Sequence, residues 1–239
     1  MGMQGQRVVA LGGTSGIGLA VALGSEKAGA SVTVASSRPS SVERALARLG
    51  PHASGQVVDV LDPVSVEMLF GTVGPFDHLV YTAGEPLTTM PIGALDLGRA
   101  RAFFEARYFG VLASVHAAVR HIRHGGSITL TSGTVGERPG PGWSLGASVC
   151  GAVNALTRAL AIELAPVRVN AVSPGVTRSQ VWSEMDQDDR EAMYDELARS
   201  LPAGRVGEVE DAAEAYLYCM NQSHTTGIVL TVDGGTVLV

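Results

Sequence analysis

Seven short runs rich in Val, Ala, Leu and Ile recur along the chain, and all but the last are followed by a stretch that reads as helix. The runs cover residues 7–12, 31–36, 56–60, 78–83, 127–132, 168–172 and 228–232. They are almost continuously apolar rather than alternating, as expected of parallel strands buried on both faces. Helices are predicted over residues 16–28, 41–49, 63–70, 99–121, 144–164 and 208–220. Parallel neighbours need crossover connections, and those connections are right-handed. The pattern therefore predicts an α/β fold with a doubly wound parallel sheet in three layers, as a single domain over residues 1–239. No internal repeat, low-complexity tract or interdomain linker interrupts it. The one long polar insertion, residues 179–205, is rich in Asp, Glu and Arg, with a helix expected at 188–200.

The first predicted strand ends in Gly12-Gly13-Thr14-Ser15-Gly16-Ile17-Gly18, and a helix follows at once. Glycines let the backbone turn tightly and approach a pyrophosphate, and the helix N-terminus offers unpaired N–H groups to the anion. A glycine-rich string alone is weak evidence. At the end of strand one of a doubly wound sheet, it points to a Rossmann-type dinucleotide site.

Composition closes off other classes. With 46% hydrophobic and 17% charged residues, there is ample material for one large core. No uninterrupted apolar run of about 18 residues appears, so no membrane span is expected. The start of the chain is short and polar, unlike a signal peptide. The formal net charge of −6, without a Lys/Arg cluster, argues against nucleic-acid partners and an anionic membrane surface. Cys150 and Cys219 are the only cysteines, and their spacing suggests neither metal nor disulfide. A cytoplasmic location and no metal are the expectations.

The spacing Gly-x-x-x-Gly-x-Gly resembles the short-chain dehydrogenases/reductases rather than the longer dehydrogenases. The resemblance runs over nearly the whole chain. Asp59-Val60 matches the adenine-contacting Asp after strand three, and Thr82-Ala83-Gly84 the end of the strand-four motif. The run 168–175, Arg-Val-Asn-Ala-Val-Ser-Pro-Gly, matches the strand-six motif, and Val232-Asp233-Gly234-Gly235 the C-terminal one. The resemblance implies a cofactor site made by Gly12, Thr14, Ser15, Gly16, Ile17, Gly18, Asp59, Val60, Ala83, Gly84, Pro174, Gly175, Val176, Thr177 and Ser179. It also implies a small-molecule substrate, a lid over residues 179–205, and a homodimer or homotetramer. The Ala-rich stretch 147–164 permits the helix interface that such an assembly uses.

Cofactor choice rests on the end of strand two. NAD-specific sites place a carboxylate there for the ribose 2′-hydroxyl. This chain has Ser36-Ser37-Arg38. Two hydroxyls and a guanidinium would bind a 2′-phosphate that a carboxylate would repel, so NADP(H) is predicted. The bland alternative makes Arg38 a surface decoration.

The family's usual proton chemistry uses a Tyr, a Lys four residues later, a Ser on strand five and an Asn on helix four. Register set on residues 156–160 puts the Tyr position at Gly146 and the Lys position at Cys150. Strand five puts Gly133 at the Ser position, with Ser132 just before it, and Arg107 falls at the Asn position. There is no lysine after Lys27. The chain is therefore expected to be an atypical member whose pocket at Gly146 and Cys150 is either larger or filled from elsewhere. Candidate catalytic residues are Arg107, to hold an oxyanion, Ser132, to donate to a substrate oxygen, and Tyr81, as a proton donor. Each has a structural alternative: a buried ion pair for Arg107, a strand-end role for Ser132, core packing for Tyr81. Trp143 and Ser144 before helix five, and Trp182 and Met185 on the lid, are expected to touch substrate. Cys150 as a nucleophile has no evident base, and His116, His121 and His124 read as an exposed helix end. Three functions follow: an NADPH-dependent oxidoreductase with a non-standard proton donor, a non-redox cyclase, isomerase or lyase, or a non-catalytic NADP(H)-binding protein.

Overall fold

The computed structural model describes residues 2–84, 86–87 and 89–239; Met1, Glu85 and Thr88 lie outside it. The elements follow in the order β1 (Arg7–Leu11), α1 (Gly16–Lys27), β2 (Ser31–Ser36), α2 (Pro39–Leu46), β3 (Ser54–Val57), α3 (Pro63–Val73), β4 (Phe76–Tyr81), α4 (Leu97–Phe104), α5 (Gly110–Ala118) and β5 (Ile122–Thr131). Then come α6 (Ser144–Glu163), β6 (Arg168–Pro174), a short β7 (Thr177–Arg178), α7 (Gln187–Ser200), a short β8 (Gly207–Glu208), α8 (Val209–Asn221) and β9 (Val229–Val232). Seven strands form one parallel sheet in the order β3-β2-β1-β4-β5-β6-β9, as the apolar runs predict. β7 and β8 pair separately, outside the main sheet.

The continuous apolar strands have a direct cause. Val9 and Leu11 of β1 face one core, with Val66, Val115, Val149 and Val153 from α3, α5 and α6. Val8 and Ala10 face the other, with Val21 of α1 and Tyr216 of α8. Every residue of β1 thus has an apolar layer to enter, whereas β4, β5 and β6 also bury polar side chains such as His78, Ser127 and Asn170, each with a hydrogen-bond partner. Strand order reverses between β1 and β4, and the crevice at their carboxyl ends is where such sheets bind ligands.

Several boundaries differ from the sequence reading, three of them with a clear physical cause. β3 starts two residues earlier, at Ser54, through a polar stretch. It is an edge strand set by pairing Thr33 with Ser54, and Gly55 lets the Val42 and Leu46 side chains of α2 lie against its backbone. β5 starts at Ile122, opposite Phe76, and skips register before Ser127 meets His78. His121 and His124 are therefore not on the preceding helix. The helix expected over 99–121 is broken: a wide π-helical turn, Glu105–Phe109, separates α4 from α5.

α6, with 20 residues, is the one helix among those described that is long and apolar enough to cross a membrane by length and composition. Here it lies on the sheet, with Val149, Val153, Leu160 and Ala161 in the core.

Candidate active site

The glycine-rich turn is built by close backbone approaches. Gly12 sits at φ 81°, and a Cβ there would lie 2.5 Å from the Ala83 nitrogen on the turn after β4. A Cβ on Gly18 would overlap the Gly12 carbonyl and the Thr82 hydroxyl. Gly16, at φ 51°, faces Ser179 across the crevice, with 3.8 Å between its Cβ position and the Ser179 Cβ. Thr14 is buried and Ile17 packs into the α1 core. Ser15 enters α1 in extended conformation without capping it through its side chain, and no acid occupies the first turn. The helix N-terminus therefore keeps its N–H groups and positive dipole for an anion.

At the end of β2, Ser36 is half-buried, Ser37 and Arg38 are exposed, and Arg38 is the N-cap of α2. α2 also has no acid in its first turn, so guanidinium and dipole carry the same sign there. Asp59 is exposed after β3 and folds onto itself, its Oδ1 accepting from the Leu61 N–H at 2.9 Å. Val60 packs inward against the core beside Gly110. Pro174 ends β6, and Gly175 donates its N–H to the Val232 carbonyl at 2.9 Å. A Cβ on Gly175 would come within 2.8 Å of the Asp233 Cα. Val176 and the buried Thr177 follow, the Thr177 hydroxyl donating to the Gly175 carbonyl.

Arg107 belongs to the wide turn between α4 and α5. Its guanidinium carbon lies 4.8 Å from the Phe103 ring centroid and 2.8 Å from where a Cβ on Gly84 would stand. A side chain at 84 would push the guanidinium out of this position. Arg107's charge is felt at Tyr81 and at Cys150. Tyr81 itself is buried, and its hydroxyl donates to the Ala106 carbonyl at 2.5 Å. Burial pushes that hydroxyl well above its usual range, against the pull of Arg107. This geometry departs from the expected proton donor, because the proton is committed to a backbone oxygen inside the core.

The Ser132 hydroxyl donates to Asn154 Oδ1 at 2.6 Å, and lies 3.4 Å from the Cys150 carbonyl. Cys150 and Asn154 are one turn apart on α6, and the Cys150 Sγ is 3.3 Å from a Cβ position on Gly133. Burial raises the thiol, while a hydrogen bond with Ser132 and the charge of Arg107 oppose that rise. Asn154 was missed in the sequence. The four-residue spacing from Cys150 was the signal, because it puts both on one helix face.

Of the two alternatives at Gly146, an enlarged pocket or a filled one, the structure has the filled one. The Trp143 indole covers it, with Cε3 3.1 Å from a Cβ position on Gly146. Trp143 also meets Trp182 edge-on, at 6.3 Å between centroids. Trp182 is buried, its indole N–H donating to the Thr177 carbonyl at 3.1 Å, and it packs with Tyr194 and Val206 under α7. Leu87 joins this cluster and donates its N–H to the Val181 carbonyl. Loops after β4, β5 and β6 thereby close over one cleft. Met185 is half-buried, its N–H donating to the Trp182 carbonyl, whereas Ser144 is exposed at the start of α6. Among the described residues no cluster of three His, Cys, Asp or Glu has a metal-holding arrangement.

Comparison with known proteins agrees with this architecture. The model of the SDR-like Rossmann domain matches residues 3–239. A short-chain dehydrogenase/reductase, ATR9, from Stachybotrys chlorohalonatus is 39% identical over 99% of this chain and 98% of its own. A solved small-chain dehydrogenase in complex with NADPH is 36% identical, with a TM-score of 0.86 over 98% of this chain and 99% of that one. The MalC reductase/Diels-Alderase from Malbranchea aurantiaca is 31% identical, with a TM-score of 0.92 over 99% and 98%. The chain belongs to the short-chain dehydrogenase/reductase family.

Proposed function

We propose that this protein is an NADP(H)-dependent oxidoreductase acting on a small carbonyl or alcohol substrate, with Arg107 in place of the family's usual proton-donor pair. The observation that carries the reading is the Arg107 guanidinium, held against Gly84 at the carboxyl edge of the sheet. Cys150 stands at the family's Lys position and Gly146 at its Tyr position, so a fixed cation remains where a proton donor is gone. A positioned cation would stabilise the alkoxide that hydride addition to the carbonyl creates, and that oxygen would take its proton from solvent when the cleft opens, since a guanidinium gives none. NADPH rather than NADH follows from Ser36, Ser37 and Arg38, and it agrees with the NADPH-bound relative. Ser132 and Asn154 form a polar pair beside the cleft, and Trp143, Leu87 and Trp182 supply its apolar wall. Residues 179–205 act as the lid that excludes water. α6 presents an exposed apolar side, with Ile162 82% accessible, which suits a homodimer or homotetramer.

A second reading has its own support: a relative of the same length is a reductase/Diels-Alderase. The same apolar cleft could template a non-redox ring closure, with Arg107 on a dienophile oxygen. The test is a carbonyl panel followed at 340 nm alongside substrate loss. Substrate loss matched one-to-one by NADPH loss supports the redox reading. Substrate loss with NADPH unchanged supports the second.

A further inference from the structure

The wide turn between α4 and α5 has to be held by something, because an α-helix running straight through would keep its regular hydrogen-bond ladder. In this turn the Gly110 N–H reaches back five residues, to the Glu105 carbonyl. The Ala106 carbonyl instead accepts the Tyr81 hydroxyl, rising from the end of β4. Gly110 makes room for that hydroxyl: a Cβ there would lie 2.5 Å from the Tyr81 oxygen. Arg107 is the next residue after Ala106. Its guanidinium is packed between the Phe103 ring and the Gly84 backbone. A guanidinium is useful to a developing charge only when its position is fixed beforehand.

We propose that Tyr81 is a positioning residue: through the Ala106 carbonyl, and in the gap left by Gly110, it holds the wide turn that carries Arg107 into the cleft. This rests on the reading of Arg107 given above. Tyr81 touches neither cofactor nor substrate and transfers no proton. Losing its hydroxyl leaves the Ala106 carbonyl buried without that donor, and the turn gains by tightening toward a regular helix, which swings Arg107 away.

Cys150 supplies a readout that needs no substrate. Its thiol is faced by Ser132, the Gly136 backbone and the charge of Arg107, whereas Cys219 is fully buried with its thiol pushed up to about 11. The rate of Cys150 alkylation by iodoacetamide, mapped by peptide mass across pH, has a midpoint that reports local charge and a plateau that reports access. Arg107→Ala should raise the midpoint by about half a pH unit or more, because an opposite charge near the thiolate is lost. Tyr81→Phe should raise it by most of that amount, with NADPH affinity unchanged. Should Tyr81→Phe be too unstable, Tyr81→Phe combined with Gly110→Ala refills the gap. Melting temperature then recovers while the midpoint stays raised. A role in packing alone would move plateau and melting temperature but leave the midpoint in place. An unmoved midpoint in Tyr81→Phe, or one restored in the double variant, overturns the proposal when Arg107→Ala does shift it. If Arg107→Ala itself leaves the midpoint unmoved, the placement of Arg107 in the cleft fails, and this proposal fails with it.

Discussion

The carboxyl edge of the sheet is built in two different ways on its two sides. After β1 the site is made of backbone, Gly12, Gly16 and Gly18 in one turn and the α1 N-terminus, and after β2 of one short local stretch, Ser36–Arg38. After β4, β5 and β6 it is made of side chains from distant segments, with Arg107 on Gly84, Ser132 on Asn154, and Trp143 on Trp182. A backbone cradle tolerates little change, because Gly12 and Gly18 press on backbone atoms and Gly16 holds a positive φ. A side-chain cleft can exchange its chemistry while the scaffold beneath stays the same. The fold is therefore shared across the family, while a cleft of this kind is the part free to vary.

The sharpest break between the two sides is expected at Arg107. Arg107→Ala should lower turnover by about 10²-fold or more, the cost of about 2.7–4 kcal/mol typical of one preorganised donor. NADPH affinity should change little, because the cofactor side is untouched. Arg107→Lys should recover only part, since the planar fork is lost. A destabilised Arg107→Ala protein with normal turnover, measured by melting temperature beside activity, would make Arg107 structural instead.

The two sides share one scaffold, and acid should take both down together. His78 of β4 is buried between Ser127 and Gln6, its Nδ1 2.8 Å from the Ser127 hydroxyl. Burial holds its pKa at about 4, with the Arg168 charge adding to that and Asp77 opposing it. The unfolded chain takes up this proton near pH 6.5, so the stability is whole above that pH and is lost as pH falls toward about 4. The shift corresponds to about 3 kcal/mol. Between about pH 4 and pH 6.5 the urea midpoint of the wild type should rise with pH, and His78→Gln should lose most of that slope. Equal slopes in the two proteins would dismiss the assignment.

On the cofactor side, NADPH should bind at least about tenfold more tightly than NADH, a margin of about 1.4 kcal/mol. Arg38→Asp should erase or reverse that preference with turnover geometry intact. Isothermal titration of both cofactors is the measurement, and equal affinities in wild type would sink the reading.

The smallest effect concerns the lid. Arg178 lies 4.3 Å from the Tyr194 ring centroid and bonds Glu191 at 2.8 Å, tying β7 to α7. Exposed ion pairs contribute little, so Arg178→Ala should leave global unfolding nearly unchanged. Limited proteolysis should still cut within Gln187–Ser200 a few times faster, as expected of a locally opened segment. Unaltered cleavage would mean that the Trp182 and Tyr194 core alone fastens the lid.

The sequence determined the sheet, its parallel character and the phosphate-facing turn, because each is set by short-range patterns: continuous apolar runs, glycines at a strand end, and the residues just after β2. It also located Arg107, Ser132 and Trp143 as positions to watch. What it left undecided depends on contacts between segments far apart in the chain. Tyr81 and Ala106 are 25 residues apart and Ser132 and Asn154 are 22 apart, so neither hydrogen bond has a local signature. The wide turn at Glu105–Phe109 is likewise invisible in helical periodicity, because a hydroxyl from β4 makes the exchange of one helical hydrogen bond worthwhile. The tertiary structure also closed the space at Gly146 with the Trp143 ring, since an emptied position in a packed interior is filled by the nearest large side chain that can reach it.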